Sequence, residues 1–189
     1  MMEAGKTGKK ACENNFDADS AEEFAEKLRY KRNKALTTAG KFTPAKHKIY
    51  FAGPWFDERS MMLYDFCVNI YNTYRPFICY DIFFPREQVS EKPKDAFLNN
   101  VNNIKDCDVV IALVSKKDVG TAWEIGMAYS LGKKIYLLGY DETTFKSHTN
   151  VMLAFTGKCF TIDNLGKFLT STMSDEDFIT INNEWEGIE

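Results

Sequence analysis

The sequence predicts an α/β fold in which a doubly wound (flavodoxin- or Rossmann-like), mostly parallel sheet of about five strands is flanked by helices. Short apolar runs alternate with longer helix-compatible segments, which is the pattern of successive βαβ units. Residues 109–114 are apolar throughout, as expected of a strand that is buried on both faces of a parallel sheet. A helical pattern begins near Gly120, so this helix starts at the carboxyl end of a central strand, where open α/β sheets bind ligands.

The first half of the chain contains an N-terminal helical extension and the first two strands. Residues 1–46 form the extension, which is predicted to be poorly ordered up to residue 19 and then helical between Ser20 and Gly40, residue types that start and stop helices. A single domain is predicted over residues 47–189. Its first elements are a strand at 48–53, a helix at 57–75 with frequent apolar positions, and a strand at 77–84 that Pro85 ends.

The second half continues the alternation of helices and strands. A polar loop through Pro93 leads to a helix at 95–105, which precedes the apolar strand at 109–114. The helix that follows ends at Gly132, a residue type typical of helix stops. The remaining elements are a buried strand at 134–139, a short strand at 159–162 and one or two terminal helices.

Composition narrows the possible classes of function. Of the 189 residues, 44% are hydrophobic and 27% are charged, which is typical of a globular protein. The net charge of −3 offers no basic excess for binding nucleic acid. No apolar run reaches the roughly 18–20 residues that span a bilayer, and lysines interrupt the N-terminus where a signal peptide would be apolar. We therefore expect neither a nucleic-acid partner nor a membrane partner.

Cysteines, histidines and absent motifs constrain location and chemistry further. Five cysteines are scattered without a C-x-x-C pair, which favours a reducing compartment and hence a cytoplasmic protein. His47 and His148 have no second ligand at metal spacing, so no metal site is expected. The chain lacks G-x-G-x-x-G, Walker and G-x-S-x-G patterns, which argues against dinucleotide cofactors, ATP hydrolysis and acyl transfer. No cofactor is expected.

Two carboxylates lie where the fold is expected to bind its ligand. Glu124 is in the predicted first turn of the helix near Gly120, and Asp118 is in the loop before it. Their placement is compatible with a catalytic pair. Thr121 and Glu124 are equally compatible with a capping box, because a threonine and a glutamate three residues apart often satisfy backbone N–H groups at a helix start. The local sequence alone leaves both interpretations open.

Tyr50 in the first strand is a core tyrosine by default. Strand alternation places Tyr50 and Ala52 on one face of the sheet, and Phe51 and Gly53 on the other. Its hydroxyl is expected near the carboxyl edge of the sheet, within reach of a carboxylate that follows the neighbouring strand.

Four segments give the chain a family resemblance. They are KIYFAGPWFDERS (48–60), NNVNNIKDCDVVIALV (99–114), DVGTAWEIGMAYSLGKKIYLL (118–138) and NVMLAF (150–155). In this order and at this spacing they resemble the nucleoside 2-deoxyribosyltransferase family, over roughly residues 47–162. The N-terminal extension falls outside the resemblance.

The resemblance implies roles for several residues. Glu124 matches the family's nucleophile, and Tyr50 matches the tyrosine that hydrogen-bonds and orients it. Asp118 matches the aspartate that binds the sugar hydroxyls. Asn150 matches an asparagine that reaches the sugar in a neighbouring subunit's site, which implies a homo-oligomer, a dimer or higher.

Other positions match the family less closely. Asn100 stands where the family often carries an aspartate that handles the departing base, so the source of the proton and the base preference are open. Gln88 loosely matches a glutamine that reads the base. Gly53 and Trp55 of the first loop, and Met152 beside Asn150, are further candidates for contacts with the substrate, and Trp55 and Phe56 are candidates for stacking on the base.

The resemblance implies transfer of 2-deoxyribose between nucleobases through a covalent deoxyribosyl–glutamate intermediate, a reaction of nucleoside salvage. The partners would be 2′-deoxyribonucleosides and free nucleobases. Exchange with retained configuration needs one carboxylate as the nucleophile at the anomeric carbon. A glutamate in a helix's first turn is expected to stay ionised at neutral pH, because the helix dipole is positive there.

Two other functions remain as alternatives. A hydrolase of the same architecture would cleave the N-glycosidic bond of deoxynucleoside 5′-monophosphates, with water as the acceptor. It would need a phosphate cradle of serine or backbone N–H groups near Gly53 and Ser115. Pro54 supplies no N–H group there, which favours free nucleosides. A nucleoside-binding module without catalysis would need no oriented carboxylate, so Glu124, Tyr50 and Asp118 together argue against it.

Overall fold

The computed structural model describes residues 23–31, 47–75, 78, 80–88, 90–115, 118–147 and 150–181. In this part of the chain five strands form one sheet in the spatial order β2-β1-β3-β4-β5, and every pairing is parallel. The strands are β1 (His47–Ala52), β2 (Tyr80–Phe83), β3 (Val109–Leu113), β4 (Lys134–Gly139) and β5 (Lys158–Thr161). This is the strand order of flavodoxin-like folds, so the predicted doubly wound parallel sheet is confirmed.

Helices connect the strands and cover the sheet. Those of the described residues are α1 (residues 23–31), α2 (Glu58–Tyr74), α3 (Pro93–Asp106), α4 (Val119–Ser130), α5 (Thr143–Ser147), α6 (Val151–Ala154) and α7 (Leu165–Leu169). Short 3-10 turns lie at Pro85–Glu87, Ile162–Asn164 and Asp175–Asp177.

Several predicted boundaries needed correction, and β2 needed the most. It covers Tyr80–Phe83, whereas the prediction gave residues 77–84, and Tyr80 pairs with His47, the first described residue of β1. Phe77 and Cys79 themselves lie outside the described residues. The helix predicted from residue 95 begins at Pro93, since a proline at the first helical position loses no intrahelical hydrogen bond.

The alternation of side chains along β1 divides the core into two parts. Ile49 and Phe51 face α2 and α7, whereas Tyr50 and Ala52 face α3 and α4. Strand β3 is buried at every position, as predicted from its uniform apolar sequence. The predicted orientation of Tyr50 is therefore confirmed, and it places the phenol on the α4 side of the sheet.

Helix α1 belongs to the core, although it precedes the predicted domain. Its Phe24 and Leu28 are buried against the α2 side of the sheet, and the Phe24 ring lies 5.3 Å from the Tyr140 ring. Lys31 forms a largely buried ion pair with Asp163 (3.1 Å), which comes just after β5. Residues 1–19, predicted to be poorly ordered, and both predicted ends of the helix, Ser20 and Gly40, lie outside the described residues.

Two further predictions concern membranes and thiols. Within the described ranges, no helix is both long and apolar enough to cross a bilayer. Cys67, Cys107 and Cys159 are free thiols and are buried, so they pack as small hydrophobic side chains. Cys12, like Cys79, lies outside these ranges.

Candidate active site

The candidate site lies at the carboxyl ends of β1 and β3. These two strands are neighbours, but the chain leaves β1 towards β2 and leaves β3 towards β4, in opposite directions across the sheet. Such a reversal opens a crevice between the two connections, and open α/β proteins bind ligands there. The loop that follows β1 and the helix α4 that follows β3 therefore border the same crevice.

Tyr50 and Glu124 meet in this crevice. The Tyr50 hydroxyl donates a hydrogen bond to Oε1 of Glu124 at 2.5 Å, and both side chains are buried. No hydrogen bond to Oε2 of Glu124 is made by any described residue. The contact joins positions 74 residues apart in sequence, so it is a product of the fold and leaves one carboxylate oxygen available to a ligand.

Burial controls the ionisation of this pair. Desolvation raises the pKa of Glu124 to about 7, the hydrogen bond from Tyr50 lowers that pKa, and the Asp118 charge raises it. The pKa of the Tyr50 phenol is raised far above its ordinary value, first by burial and then by Glu124. The phenol therefore remains a hydrogen-bond donor at all physiological pH values.

The expectation that the helix dipole keeps Glu124 fully ionised was wrong. Helix α4 begins at Val119, so Glu124 is its sixth residue and lies in the second turn. The dipole's effect is confined to the terminal turn, and loss of hydration dominates at the position that Glu124 occupies.

The capping-box interpretation of Thr121 and Glu124 was also wrong. The N-cap of α4 is Asp118, whose Oδ2 accepts hydrogen bonds from the Thr121 backbone N (2.6 Å) and from Thr121 Oγ1 (2.7 Å). A Cβ on Gly120 would lie 3.2 Å from the same oxygen, so a glycine suits this tight turn. Asp118 is half-buried, and no described residue donates a hydrogen bond to its Oδ1. Asp118 can therefore cap α4 with Oδ2 and at the same time contact a ligand with Oδ1.

The loop after β1 forms the opposite border of the crevice. Gly53 is buried, and a Cβ there would lie 3.1 Å from Cβ of Leu113, so glycine permits the close approach of β1 and β3. Trp55 is half-buried, and its ring lies edge-on to Tyr64 at 5.7 Å, which anchors the loop to α2. Phe56 is 74% exposed beside it.

Gln88 lies in a separate groove between β2 and α3. The groove has a volume of about 260 Å³, and its lining includes Gln88, Asp81, Phe83 and Asn103. The Phe83 ring stacks on Tyr50 with 5.7 Å between centroids, so Phe83 contacts both the groove and the Tyr50–Glu124 pair. The structure therefore brings Gln88 near the Tyr50 side of the site without any direct contact with Glu124.

Asn100, Asn150 and Met152 form no side-chain hydrogen bond with the buried pair in the described part of the chain. Asn100 is half-buried on α3, which packs on β1 and α4, and its side chain makes no hydrogen bond to the described residues. Asn150 is exposed, and its Oδ1 accepts from the Met152 backbone N at 2.8 Å, so it is the N-cap of α6. The Met152 side chain is 77% exposed.

The sequence did not reveal how three residues contribute to this region. Phe83 stacks on the Tyr50 ring, and this contact could have been predicted only from the parallel register that pairs the two residues. Thr121 was noticed as a possible cap, but it is the partner of Asp118. Asp57 was noticed only as a helix start, but its carboxylate bonds both the backbone N–H and the hydroxyl of Ser60.

A comparison with known families identifies one match. The family model described as nucleoside 2-deoxyribosyltransferase matches residues 49–182, which contain Tyr50, Glu124 and every other candidate residue named above. No curated protein sequence matches the chain.

Solved structures with similar chains include enzymes that act on glycosidic bonds. A 2-deoxyribosyltransferase from Bacillus psychrosaccharolyticus is 24% identical, with 60% of this chain and 84% of that chain covered and a TM-score of 0.49. A 2-deoxyribosyltransferase from Leishmania mexicana is 25% identical, with 50% and 65% covered and a TM-score of 0.42. A CMP N-glycosidase from Clostridium botulinum is 18% identical, with 66% and 95% covered and a TM-score of 0.45.

Proposed function

The chain belongs to the nucleoside 2-deoxyribosyltransferase family, and we propose that it transfers 2-deoxyribose from one nucleobase to another through a covalent intermediate on Glu124. The observation that carries the proposal is the buried hydrogen bond from Tyr50 to Glu124. A structural role alone does not require a carboxylate at this buried position with one oxygen unused, because burial of a charge is costly unless the charge is used or paired.

The first step is attack by Glu124 on the anomeric carbon of a bound 2′-deoxyribonucleoside. Oε2 forms a bond to C1′ while the C1′–N bond to the base breaks, and the bonding electrons leave with the base. Tyr50 holds Oε1 by its hydroxyl, so the free oxygen is aimed rather than rotating. The base takes up a proton, and Asn100 cannot supply it because an amide does not titrate. A water molecule is the donor in this proposal.

The second step returns the sugar to a new base. A ring nitrogen of the incoming base attacks C1′ from the face that the first base left, the C1′–Oε2 bond breaks, and the incoming nitrogen loses its proton to water. Two displacements at one carbon retain the configuration. Asp118 holds the sugar, because the sugar hydroxyl groups donate hydrogen bonds to Oδ1, the carboxylate oxygen that does not cap the helix.

The oligomer is part of the same proposal. The outer surfaces of α3, α4 and α6 carry exposed apolar side chains, which we call the apolar face: Phe97, Leu98, Val119, Trp123, Val151, Met152 and Phe155. The Phe97 and Trp123 rings lie 5.6 Å apart. A contiguous exposed apolar surface is typical of a protein–protein contact. A second copy of the chain bound there would cover α6 and bring Asn150 next to another subunit's surface.

The experiment is an exchange assay with deoxyinosine and free adenine. We expect deoxyadenosine and hypoxanthine in equal amounts. Formation of hypoxanthine without deoxyadenosine would show that the protein hydrolyses the nucleoside rather than transferring its sugar. In the absence of adenine, mass spectrometry of the quenched protein is expected to detect one added deoxyribosyl group. The matched control is Glu124→Gln, which keeps an acceptor for Tyr50 but cannot form the ester. Failure of wild type to cleave any deoxynucleoside would overturn the proposal.

A further inference from the structure

Helix α1 contacts the connections that follow three of the strands. Its Phe24 ring lies 5.3 Å from the ring of Tyr140, which follows β4, and its Lys31 pairs at 3.1 Å with Asp163, which follows β5. The Phe24 ring also contacts Arg59 at the start of α2, the helix that follows β1. Because parallel strands have their carboxyl ends at one edge of the sheet, α1 lies at the same edge as the crevice.

Arg59 joins α1 to the helix that borders the crevice. It is the second residue of α2, and its guanidinium lies 4.8 Å from the centre of the Phe24 ring and 5.9 Å from the centre of the Tyr140 ring. An arginine is charged at all physiological pH values, and a guanidinium is attracted to the faces of aromatic rings. These contacts therefore hold the start of α2 against α1 and against the end of β4.

The start of α2 forms contacts with both borders of the crevice. Ser60, the residue after Arg59, is buried, and its Oγ lies 3.2 Å from Oγ of Ser115 in the loop that follows β3. The loop that follows β1 is anchored to α2 by the edge-on contact of Trp55 with Tyr64. A shift of the start of α2 would therefore move the loop after β1 and disturb the contact with the loop after β3.

Resting on the proposed function, we infer that Arg59 is a positioning residue, which acts through the Phe24 ring of α1 to hold the loop after β1 in the geometry that binds the nucleoside. Tyr50 and Glu124 lie on the other face of the sheet, against α3 and α4, and are fixed by their own hydrogen bond. Loss of the Arg59 contact is therefore expected to weaken substrate binding and to leave the chemical step nearly unchanged.

The inference makes α1 part of the substrate site. Helix α1 (residues 23–31) lies outside the range that matches the family, residues 49–182. Its contribution to this chain would therefore be additional to the features on which the family match depends.

The test compares Arg59→Met, which keeps an unbranched side chain but removes the charge, with Arg59→Lys, which keeps a cation. Phe24→Leu removes the ring but keeps a buried apolar side chain. Arg75→Met is the matched control, because Arg75 lies at the other end of α2 with its guanidinium 6.0 Å from the Tyr71 ring. The measurements are KM and kcat for release of hypoxanthine from deoxyinosine, which transfer and hydrolysis share, together with the melting temperature. Calorimetry with deoxyinosine measures the affinity without turnover when each change is combined with Glu124→Gln.

We expect Arg59→Met and Phe24→Leu each to raise KM by about three- to fivefold, a size that the loss of one exposed cation–π contact produces. The value of kcat is expected to remain close to that of wild type. Because both changes break the same contact, the double variant is expected to raise KM no further than either single variant. Arg59→Lys is expected to keep most of the affinity, and Arg75→Met is expected to leave KM unchanged.

An unchanged KM in Arg59→Met, even with a lower melting temperature, would overturn the inference, because the contact would then serve only the stability of the fold. A raised KM in Arg59→Met without a raised KM in Phe24→Leu would also overturn it, since Arg59 would then contact the substrate itself. Equal deoxyinosine affinities in all the variants would overturn this inference alone, whereas a wild type that cleaves no deoxynucleoside would overturn the proposed function. The two failures are therefore distinguishable.

Discussion

The Tyr50–Glu124 pair and the Asn150 segment are proposed to act on the same sugar, but the fold treats them differently. Tyr50 and Glu124 are buried and are joined by a 2.5 Å hydrogen bond between a central strand and the helix α4. Asn150 is exposed and caps α6, a helix of only four residues. Side chains on rigid, buried elements are held far more precisely than those on short surface segments.

The difference suggests a division of labour between one chain and its neighbour. Under the proposed function, the nucleophile Glu124 and the Tyr50 hydroxyl that orients it belong to a single chain. The Asn150 segment is exposed, with the apolar side chain of Met152 beside it, and the Asn150 side chain bonds the backbone of its own helix. Under the proposed function, a lone chain would contain the chemistry but lack part of the sugar site.

The largest expected effect is at Glu124. Glu124→Gln is expected to lower exchange by about three orders of magnitude or more, as removal of a covalent nucleophile commonly does. The measurement is the initial rate of deoxyadenosine formation from deoxyinosine and adenine. Because Asp118 rather than Glu124 caps α4, the variant should keep the melting temperature of wild type within a few degrees. Exchange above a few per cent of wild type would remove Glu124 from the nucleophile role.

A smaller effect is expected at Tyr50. Tyr50→Phe keeps the ring that stacks on Phe83 but removes the hydroxyl that holds Oε1. We expect kcat to fall by about ten- to a hundredfold with little change in KM, because orientation matters mainly in the transition state. Tyr136→Phe, on the opposite face of β4, is a matched control that removes a hydroxyl outside the site. A raised KM with normal kcat would make Tyr50 a binding residue.

The pH dependence distinguishes the same two groups further. Glu124 must be ionised to attack, and its pKa is raised to about 7, so kcat/KM should rise with pH and level off above about pH 7. The hydrogen bond from Tyr50 lowers that pKa, so Tyr50→Phe should move the acid limb to higher pH.

The pKa of Glu124 in the folded protein lies above its ordinary value, so its protonated form stabilises the fold at low pH, and this contribution to stability is lost as pH rises through 7. A limb near the ordinary glutamate pKa, unmoved by Tyr50→Phe, would contradict the burial argument.

The sequence predicted the position of the buried Tyr50–Glu124 pair better than that of the exposed Asn150 segment. Uniform burial of β3 and alternation along β1 are visible in the residues, and with a parallel sheet they place Tyr50 beside the start of α4. The choice of cap was not visible, because Asp118 with Thr121 and Thr121 with Glu124 have the same spacing. The contact with Tyr50 distinguishes the two caps, because the Glu124 side chain cannot bond Tyr50 and also cap α4.

The exposed half depends on information that one chain does not contain. Residues 150–155 had no clear periodicity, and the structure shows only a single helical turn there. The role of Asn150 depends on which surface another copy would present, and no sequence pattern of this chain specifies that surface. The apolar face is the structural feature that makes the question testable.

Mixing of two impaired variants tests the proposed division directly. Asn150→Ala is expected to lower exchange by about tenfold, a typical loss for one hydrogen bond to a substrate. Asn150→Ala and Glu124→Ala subunits, unfolded together and refolded, should regain exchange above the sum of the two, because some mixed sites contain both intact residues. Trp123→Asp on the apolar face is expected to produce monomers and to abolish that gain. Absence of any gain, with mixed oligomers verified by mass, would leave Asn150 as the cap of α6 in its own chain.

The smallest expected effect is at Asn100, a half-buried residue of α3. Its amide can donate to a base but cannot change its protonation state, whereas a carboxyl can deliver a proton to a departing ring nitrogen. Asn100→Asp is therefore expected to change the relative rates of purine and pyrimidine donors by a few-fold, with the larger gain for the base whose departure most needs a proton. The measurement is a competition of deoxyinosine and deoxyuridine for one pool of adenine, followed from pH 5 to pH 8. Because an aspartate donates only while protonated, the gain should be largest at the acid end.

Asn102→Asp, at an exposed position on the same helix, introduces the same charge away from the site and serves as the control. Equal shifts in both variants would mean that the general charge of α3, rather than a proton delivered at position 100, sets the preference among bases.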